Sequence, residues 1–268
     1  MTLRQFLVAF GSVCILASIT AAQQTPSAPP TVQRDPQAIT ILTQALNAAG
    51  GTSAVVGVQD YTATANVTYY WAGEQVEGTA VLKGRGTGQF RVDATLPDGM
   101  RCWDFNNGTG FFRDVDGTVR IVPYQNAVNF GNLAFPVGRL AAVLQDLSAS
   151  ITYVGLETRG GGQVQHLRIQ EVFTGDVDPH GTYSKLTIRD FFIDPTTFQI
   201  VGTADMIHPD NAVTINLTHE MQFSNFQTVN GILVPFSIVE IRGGQQTYAV
   251  QLNQVTFNTG LQNLDFEQ

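Results

Sequence analysis

The chain has 268 residues, with 14 Lys+Arg against 22 Asp+Glu, a formal charge of −8 and a charged fraction of 13%, about half of the roughly 25% usual in soluble domains. Its 43% apolar content excludes a disordered polyelectrolyte, which combines high charge with few apolar groups. Its only lysines are Lys83 and Lys185 and no Lys/Arg cluster occurs, so the cationic patch that neutralises nucleic-acid phosphates is missing.

The first residues read as an export signal. Arg4 supplies a positive charge, Phe6–Ile19 is largely apolar, and Thr20-Ala21-Ala22 is a small-residue cleavage site, the three parts of a secretory signal peptide over residues 1–22. The apolar run is shorter than the ~20 residues of a comfortable membrane span, so no integral membrane protein is expected after cleavage. Lipidation of Cys14 is disfavoured by Val13, where a lipobox carries a small residue. Cleavage removes Arg4 and no acid, which leaves a charge of −9, and Cys102 as the single thiol. No internal disulfide is then available. The fold must stand on its core, for which about 230 residues are ample. Residues 23–36, with Pro26, Pro29, Pro30 and Pro36, read as a flexible leader, and residues 37–268 as one domain.

A helix is predicted over Pro36–Ala49, with Asp35 as N-cap, Pro36 in the first turn and Gly50-Gly51 as the stop. The apolar period then changes from helical spacing to two. Tyr61–Trp71 alternates as a half-buried strand. Val76–Lys83 and Gln89–Leu96 follow, the second with Phe90, Val92, Ala94 and Leu96 on one face. Short strands are predicted at Met100–Phe105, Gly110–Arg113 and Thr118–Val122, punctuated by the turns Pro97-Asp98-Gly99, Asn106-Asn107-Gly108 and Asp116-Gly117. Arg139–Leu147 carries a second helical stripe. Strands resume at Ile151–Thr158, Val164–Phe173, Lys185–Ile193, Phe198–Ile207, Val213–Phe223, Ile232–Ile241 and Thr247–Phe257. In the last, apolar parity switches between Leu252 and Val255, which predicts a β-bulge near Asn253. About a dozen strands joined by hairpin turns favour one large antiparallel sheet.

No catalytic signature stands out. The four histidines, His166, His180, His208 and His219, have no metal-ligand spacing between them. Asp176-Val177-Asp178-Pro179-His180 lacks the Gly and distal Glu of a calcium loop and reads as a solvated turn. Gly84–Gly88 is followed by no helix that could face a phosphate. No serine-hydrolase elbow or zinc-protease motif is present. The 17 Phe, 7 Tyr and 2 Trp are the salient feature. The bland reading is core; the sharper one is that part of the apolar face lines a cavity.

The C-terminal half resembles LolA-like proteins of the outer-membrane lipoprotein-sorting superfamily. Phe223–Pro235, with its aromatic strand, Asn230-Gly231-Ile232 turn and following Pro, carries the resemblance. So do Ile193-Asp194-Pro195-Thr196-Thr197 and the ending Val255–Leu261 with Phe266. The helix running into Ala48-Ala49-Gly50-Gly51 before a long strand also fits. The resemblance implies a mainly β fold: a large curved antiparallel sheet, an open incomplete barrel of about eleven strands, with two or so helices on its concave side. It implies an apolar interior that shelters lipid or lipoprotein acyl chains. The family's arginine latch has no counterpart fixed by a motif, although Arg85 and Arg91 lie in the corresponding region.

The expectation is therefore an exported, periplasmic, non-enzymatic protein that needs no cofactor or metal and binds a hydrophobic ligand. Val67, Tyr69, Trp71, Phe90, Val92, Trp103 and Phe135 are the expected lining, with Leu140 and Leu144 as lid. Two other readings stay open. One is an envelope sensor or protein-interaction domain of the same fold with a protein partner and no small ligand. The other is a hydrolase with spatially assembled acids.

Overall fold

The computed structural model describes residues 31–71, 73–130 and 133–267. The predicted signal peptide and most of the predicted leader lie outside the described residues. The last leader residues are held in place: Arg34 forms a parallel bridge with Ile151, and the Gln33 carbonyl accepts from the Ile151 N–H at 2.7 Å.

Helix α1 (Pro36–Ala48) forms where its caps require. The Asp35 carboxylate accepts from the N–H of Gln37 and Ala38, and Pro36 occupies the first turn. Its stripe of Ala38, Ile41, Leu42, Ala45 and Leu46 is buried. Gly50 ends it at φ +120°, and a Cβ there would lie 2.3 Å from the Gly231 carbonyl oxygen. Only glycine permits this contact, which seats the helix end on a sheet turn. A short helix α2 (Thr52–Val56) follows.

The strands are β1 (Asp60–Trp71), β2 (Glu74–Arg85), β3 (Gln89–Leu96), β4 (Gly99–Asn106), β5 (Thr109–Arg113) and β6 (Val119–Val122). Helices α3 (Tyr124–Ala127) and α4 (Pro136–Gln145) intervene. The chain continues with β7 (Ala149–Arg159), β8 (Gly162–Glu171), helix α5 (Thr182–Leu186), β9 (Arg189–Ile193) and β10 (Ile200–Ile207). It ends with β11 (Leu217–Val229), β12 (Ile232–Arg242), β13 (Gln245–Phe257) and the 3-10 turn η1 (Asn263–Phe266).

Two meanders make one sheet. Strands β1 to β6 step outward in one direction, β7 to β13 return from the other, and β1 pairs antiparallel with β13. Strands β6 and β7 are the two edges of this 13-stranded sheet, so it is open. The segment 123–148, carrying α3 and α4, must pass from one edge to the other. On the way α4 packs against α1 and α2, and these helices share a continuous core with the inward side chains of both meanders. Arg34 fixes the end of α4 by donating to the carbonyls of Leu144 and Asp146, each at 2.8 Å.

The fold is thus the mainly β, open, curved sheet expected, with thirteen strands rather than about eleven and five α-helices rather than two or so among the described residues. The bulge falls at Asn253: Thr64 faces Gln254 and Ala65 faces Leu252, so Asn253 has no opposite number. Several boundaries differ from expectation by two or more residues, and two of the shifts have a visible cause. Residues 185 and 186 belong to α5, because the buried Asp178 carboxylate accepts from both the N–H and hydroxyl of Ser184 at 2.8 Å and curls the chain. Strand β11 starts at Leu217, after turns in which Ala212 N–H bonds Pro209 and Ile215 N–H bonds Ala212.

Candidate functional site

Strand pairing brings the aromatic residues of the first meander together on the concave face. Val92 lies opposite Trp103 and Phe90 opposite Phe105. Tyr69 lies opposite Tyr248, and Val67 opposite Val250. Tyr69 stacks on Trp103 with centroids 5.5 Å apart and contacts Tyr248 at 5.8 Å. Phe105 stacks flat on Phe130 at 4.2 Å. Gly110 makes room for that stack, since a Cβ there would lie 2.8 Å from the Phe105 ring.

These rings do not fill the space. They surround a cavity of about 200 Å³, smaller than the roughly 300–1,000 Å³ of typical ligand pockets. A second hollow of about 370 Å³ adjoins it and shares Trp71, Trp103, Phe105, Phe130 and Arg242. Ile121 and Arg120 of β6 line its outer side. Trp71, at 79% exposure, stands at the mouth.

A row of charges crosses the other half of the same face. Arg189 donates to Asp205 at 2.7 Å, and Asp205 lies 2.7 Å from His219 Nδ1. His219 Nε2 lies 3.0 Å from Glu240, which also accepts from Arg242 at 2.8 Å and from the Thr247 hydroxyl. Burial alone would lower the His219 pKa. The facing carboxylates of Asp205 and Glu240 outweigh it and raise the value to about 9. Each ring nitrogen then carries a proton toward an acid, and the imidazole is a cation at neutral pH. Burial pushes the Asp205 and Glu240 carboxyls up, but their cationic partners hold both below the ordinary range. Burial, and then the Glu240 charge, raises the Tyr248 phenol well above its usual value. A small hollow of about 50 Å³ lies along this row, and Phe130, Leu133, Glu240 and Tyr248 form the wall it shares with the aromatic cavity.

Of the expected lining residues, Val67, Tyr69, Trp71, Phe90, Val92 and Trp103 all stand on the cavity wall. Phe135, Leu140 and Leu144 do not. Phe135 packs on Phe257 at 5.4 Å, Leu140 is fully buried in the core, and Leu144 is half-buried against it. The helix α4 that carries both leucines seats on α1 and α2 instead of over the aromatic half. Arg85 and Arg91 also lie elsewhere. Arg85 bonds Gln89 and Asn263, and Arg91 sits on the face opposite Phe90 and Val92, bonded to Asp93. The sequence expectation omitted Tyr248 and Val250, which its own even parity in β13 marks, and the charges. Glu240 continues the core parity of Val234, Phe236 and Ile238, and His219 that of Met221 and Phe223. A polar residue at a core position was the available signal.

The fold and cavity define a class: an open, strongly curved antiparallel sheet with helices in its concavity, the architecture of LolA-like, lipoprotein-sorting structures. An outer membrane lipoprotein-sorting protein domain from Vibrio parahaemolyticus superposes with a TM-score of 0.53 at 12% identity, over 85% of this chain and 95% of that one. A LolA-superfamily protein from Nitrosomonas europaea gives 0.53 at 10% identity, over 86% and 97%. No family model matches the sequence, and no curated protein matches it.

Proposed function

We propose that the protein is an exported binding protein, not an enzyme, which encloses an acyl chain of a lipid or lipoprotein in the concave aromatic cavity. The carrying observation is the unfilled space of about 200 Å³ among Val67, Phe90, Val92 and Trp103, against about 50 Å³ along the charged row of the same face. Transfer from water is worth ~0.8 kcal/mol per methylene, so about six buried methylenes would contribute about 5 kcal/mol without any polar contact. Among the described residues no helix is long and apolar enough to cross a membrane. The residues before Gln23 read as an export signal, and the net charge of −9 without them opposes adsorption to anionic bilayers. A lipid reached by such a chain is enclosed, not coated. One fold hosts many functions, so the reading rests on the cavity; the lipoprotein-sorting name of the Vibrio structure agrees with it.

Native mass spectrometry of the protein isolated from an envelope fraction tests this reading. A bound species of lipid mass is expected, lost on delipidation and regained on adding lipid. Protein that carries no lipid and takes up none when offered it would overturn the proposal.

A further inference from the structure

The mouth of the cavity carries cations that the fold does not use up. Arg242 lines both the cavity and the adjoining hollow. Its Nη2 bonds Glu240, but its Nε is buried with no hydrogen-bond partner, a state that is unfavourable until an acceptor arrives. Arg120 enters the same hollow from edge strand β6. Its guanidinium lies 4.9 Å over the Phe112 ring, and among the described residues no carboxylate lies within salt-bridge distance of it. The acids nearby do not balance these charges. Glu240 is the only carboxylate on the cavity wall among the described residues, and His219, Arg242 and Thr247 already engage it. Along the row, the cations Arg189, His219 and Arg242 pair with Asp205 and Glu240 and with no other carboxylate among the described residues. The outer hollow adds Asp210, which is exposed. Asp114, which feels the Arg120 charge, is partly exposed and already bonded to Arg101. Local charge governs here, because the acids spread over the rest of the chain are screened beyond about 8–10 Å.

We infer that the ligand is a single-chain amphiphile with an anionic head, its chain among Val67, Phe90 and Trp103 and its head at Arg242 and Arg120. This inference rests on the binding role proposed above and adds the charge of the ligand and the residues that read it. One chain suits a cavity of about 200 Å³, which lies below the usual range for bulky ligands. The head is a carboxylate or a phosphate; guanidinium forks accept both.

The chain holds a built-in reporter. Its only two tryptophans, Trp71 and Trp103, both line the cavity, so intrinsic fluorescence reads occupancy. Three C16 probes share one chain and differ in the head: palmitate, hexadecyl phosphate and hexadecanol. At least one of the two anionic probes should bind about tenfold tighter than the alcohol, the worth of ~1.4 kcal/mol, and the tighter of the two names the source of the charge. Arg120→Gln alters an exposed side chain and should lower that preference about threefold, the scale of an exposed charge contact. Arg120→Gln/Arg242→Gln should abolish it, read as the ratio of anionic-probe to hexadecanol affinity measured within the same variant. Equal affinity for all three probes, or a preference that survives in both variants, would overturn the head-group assignment and leave the cavity reading standing. Failure of the folded protein to bind any of the three overturns both.

Discussion

Where β1, β3, β4 and β13 meet, the concave face carries rings that touch one another and still leave a hollow. Where β9 to β12 meet, it carries charges that leave almost none. The difference follows from what each group needs. Rings such as Tyr69 and Trp103 are stiff and gain from edge or stacked contact, so they prop one another apart as well as together. A buried charge must instead be met by a partner at hydrogen-bond distance, so Arg189, Asp205, His219 and Glu240 fix one another in place. The charged half therefore acts as a rigid floor, and the aromatic half is where a guest can be admitted. Glu240 and Arg242 belong to both.

The sharpest way to break this contrast is to cut each half in turn. Asp205→Ala leaves Arg189 and one nitrogen of His219 facing no acid. Removing one partner of a buried ion pair costs about 3–5 kcal/mol, and urea denaturation should show a loss of that order. Tyr69→Ala removes a larger side chain, but one that borders existing space. It should cost about 1–2 kcal/mol, below the 3–5 kcal/mol of a fully packed aromatic. Equal losses would mean that the two halves are packed alike.

A gentler probe of the floor is pH. His219 has its pKa raised from 6.5 to about 9, so the folded state holds the proton more tightly than the unfolded chain does. The stability this supplies is fully present below about pH 6.5 and is lost as pH rises through 9. The urea midpoint should fall across that window, by up to about 3 kcal/mol in free energy, and His219→Gln should flatten the slope. A slope unchanged in the variant would place the titration elsewhere. The depressed carboxyls of Asp205 and Glu240 act in a separate window, since their contribution is lost only as acid protonates them.

The two halves were unequally legible in the sequence. Strand alternation is a local property, so Tyr61–Trp71 and Gln89–Leu96 put Val67, Tyr69, Phe90 and Val92 on one face before any pairing was known. The parity switch that marked Asn253 is local too. The charged row is not. Asp205 and His219 are 14 positions apart and His219 and Glu240 21, spacings without chemical meaning until the register of β10, β11 and β12 sets them side by side. Leu140 and Leu144 show the same limit from another side. Their helical stripe was visible, but the part of the sheet it covers depends on how residues 123–148 travel between the sheet edges.

Filling the hollow tests the aromatic half directly. Val92 lies on the cavity wall opposite Trp103. Val92→Phe should place its ring in the open space, lowering acyl-chain affinity at least about tenfold by tryptophan fluorescence. Stability should change by less than about 1 kcal/mol, whereas overpacking a filled core costs about 1–3 kcal/mol. Ile238, fully buried in the core between Phe223 and Val250, supplies that control: Ile238→Phe should show the cost. If Val92→Phe unfolds the protein as readily, the space is not available to a guest.

The smallest expected effect concerns a carboxylate that lacks what Asp205 has. Asp104 is 1% exposed and lies on the opposite face of β4, where η1 packs across β3 and β4. Neither of its oxygens has a hydrogen-bond partner. Its nearest cation, Arg91, is 3.7 Å away and is committed to Asp93 at 2.8 Å. Burial raises the Asp104 carboxyl to about 6, against the pull of Arg91. The folded state therefore prefers the protonated acid, and that contribution is lost as pH rises from 3.8 through 6. Above pH 7 the buried charge destabilises the fold. Asp104→Asn keeps the shape and removes the charge, so it should raise stability at pH 7.5 by about 1 kcal/mol, or about 2–4 °C in melting temperature, with almost no gain at pH 4. A loss at pH 7.5 would show that the charge is better compensated than the Arg91 distance allows. Asp205→Asn is expected to have the opposite sign, because it weakens an acid that Arg189 and His219 hold ionised. Two aspartates of similar burial would then respond in opposite directions, and the partner, not the depth, would set the sign.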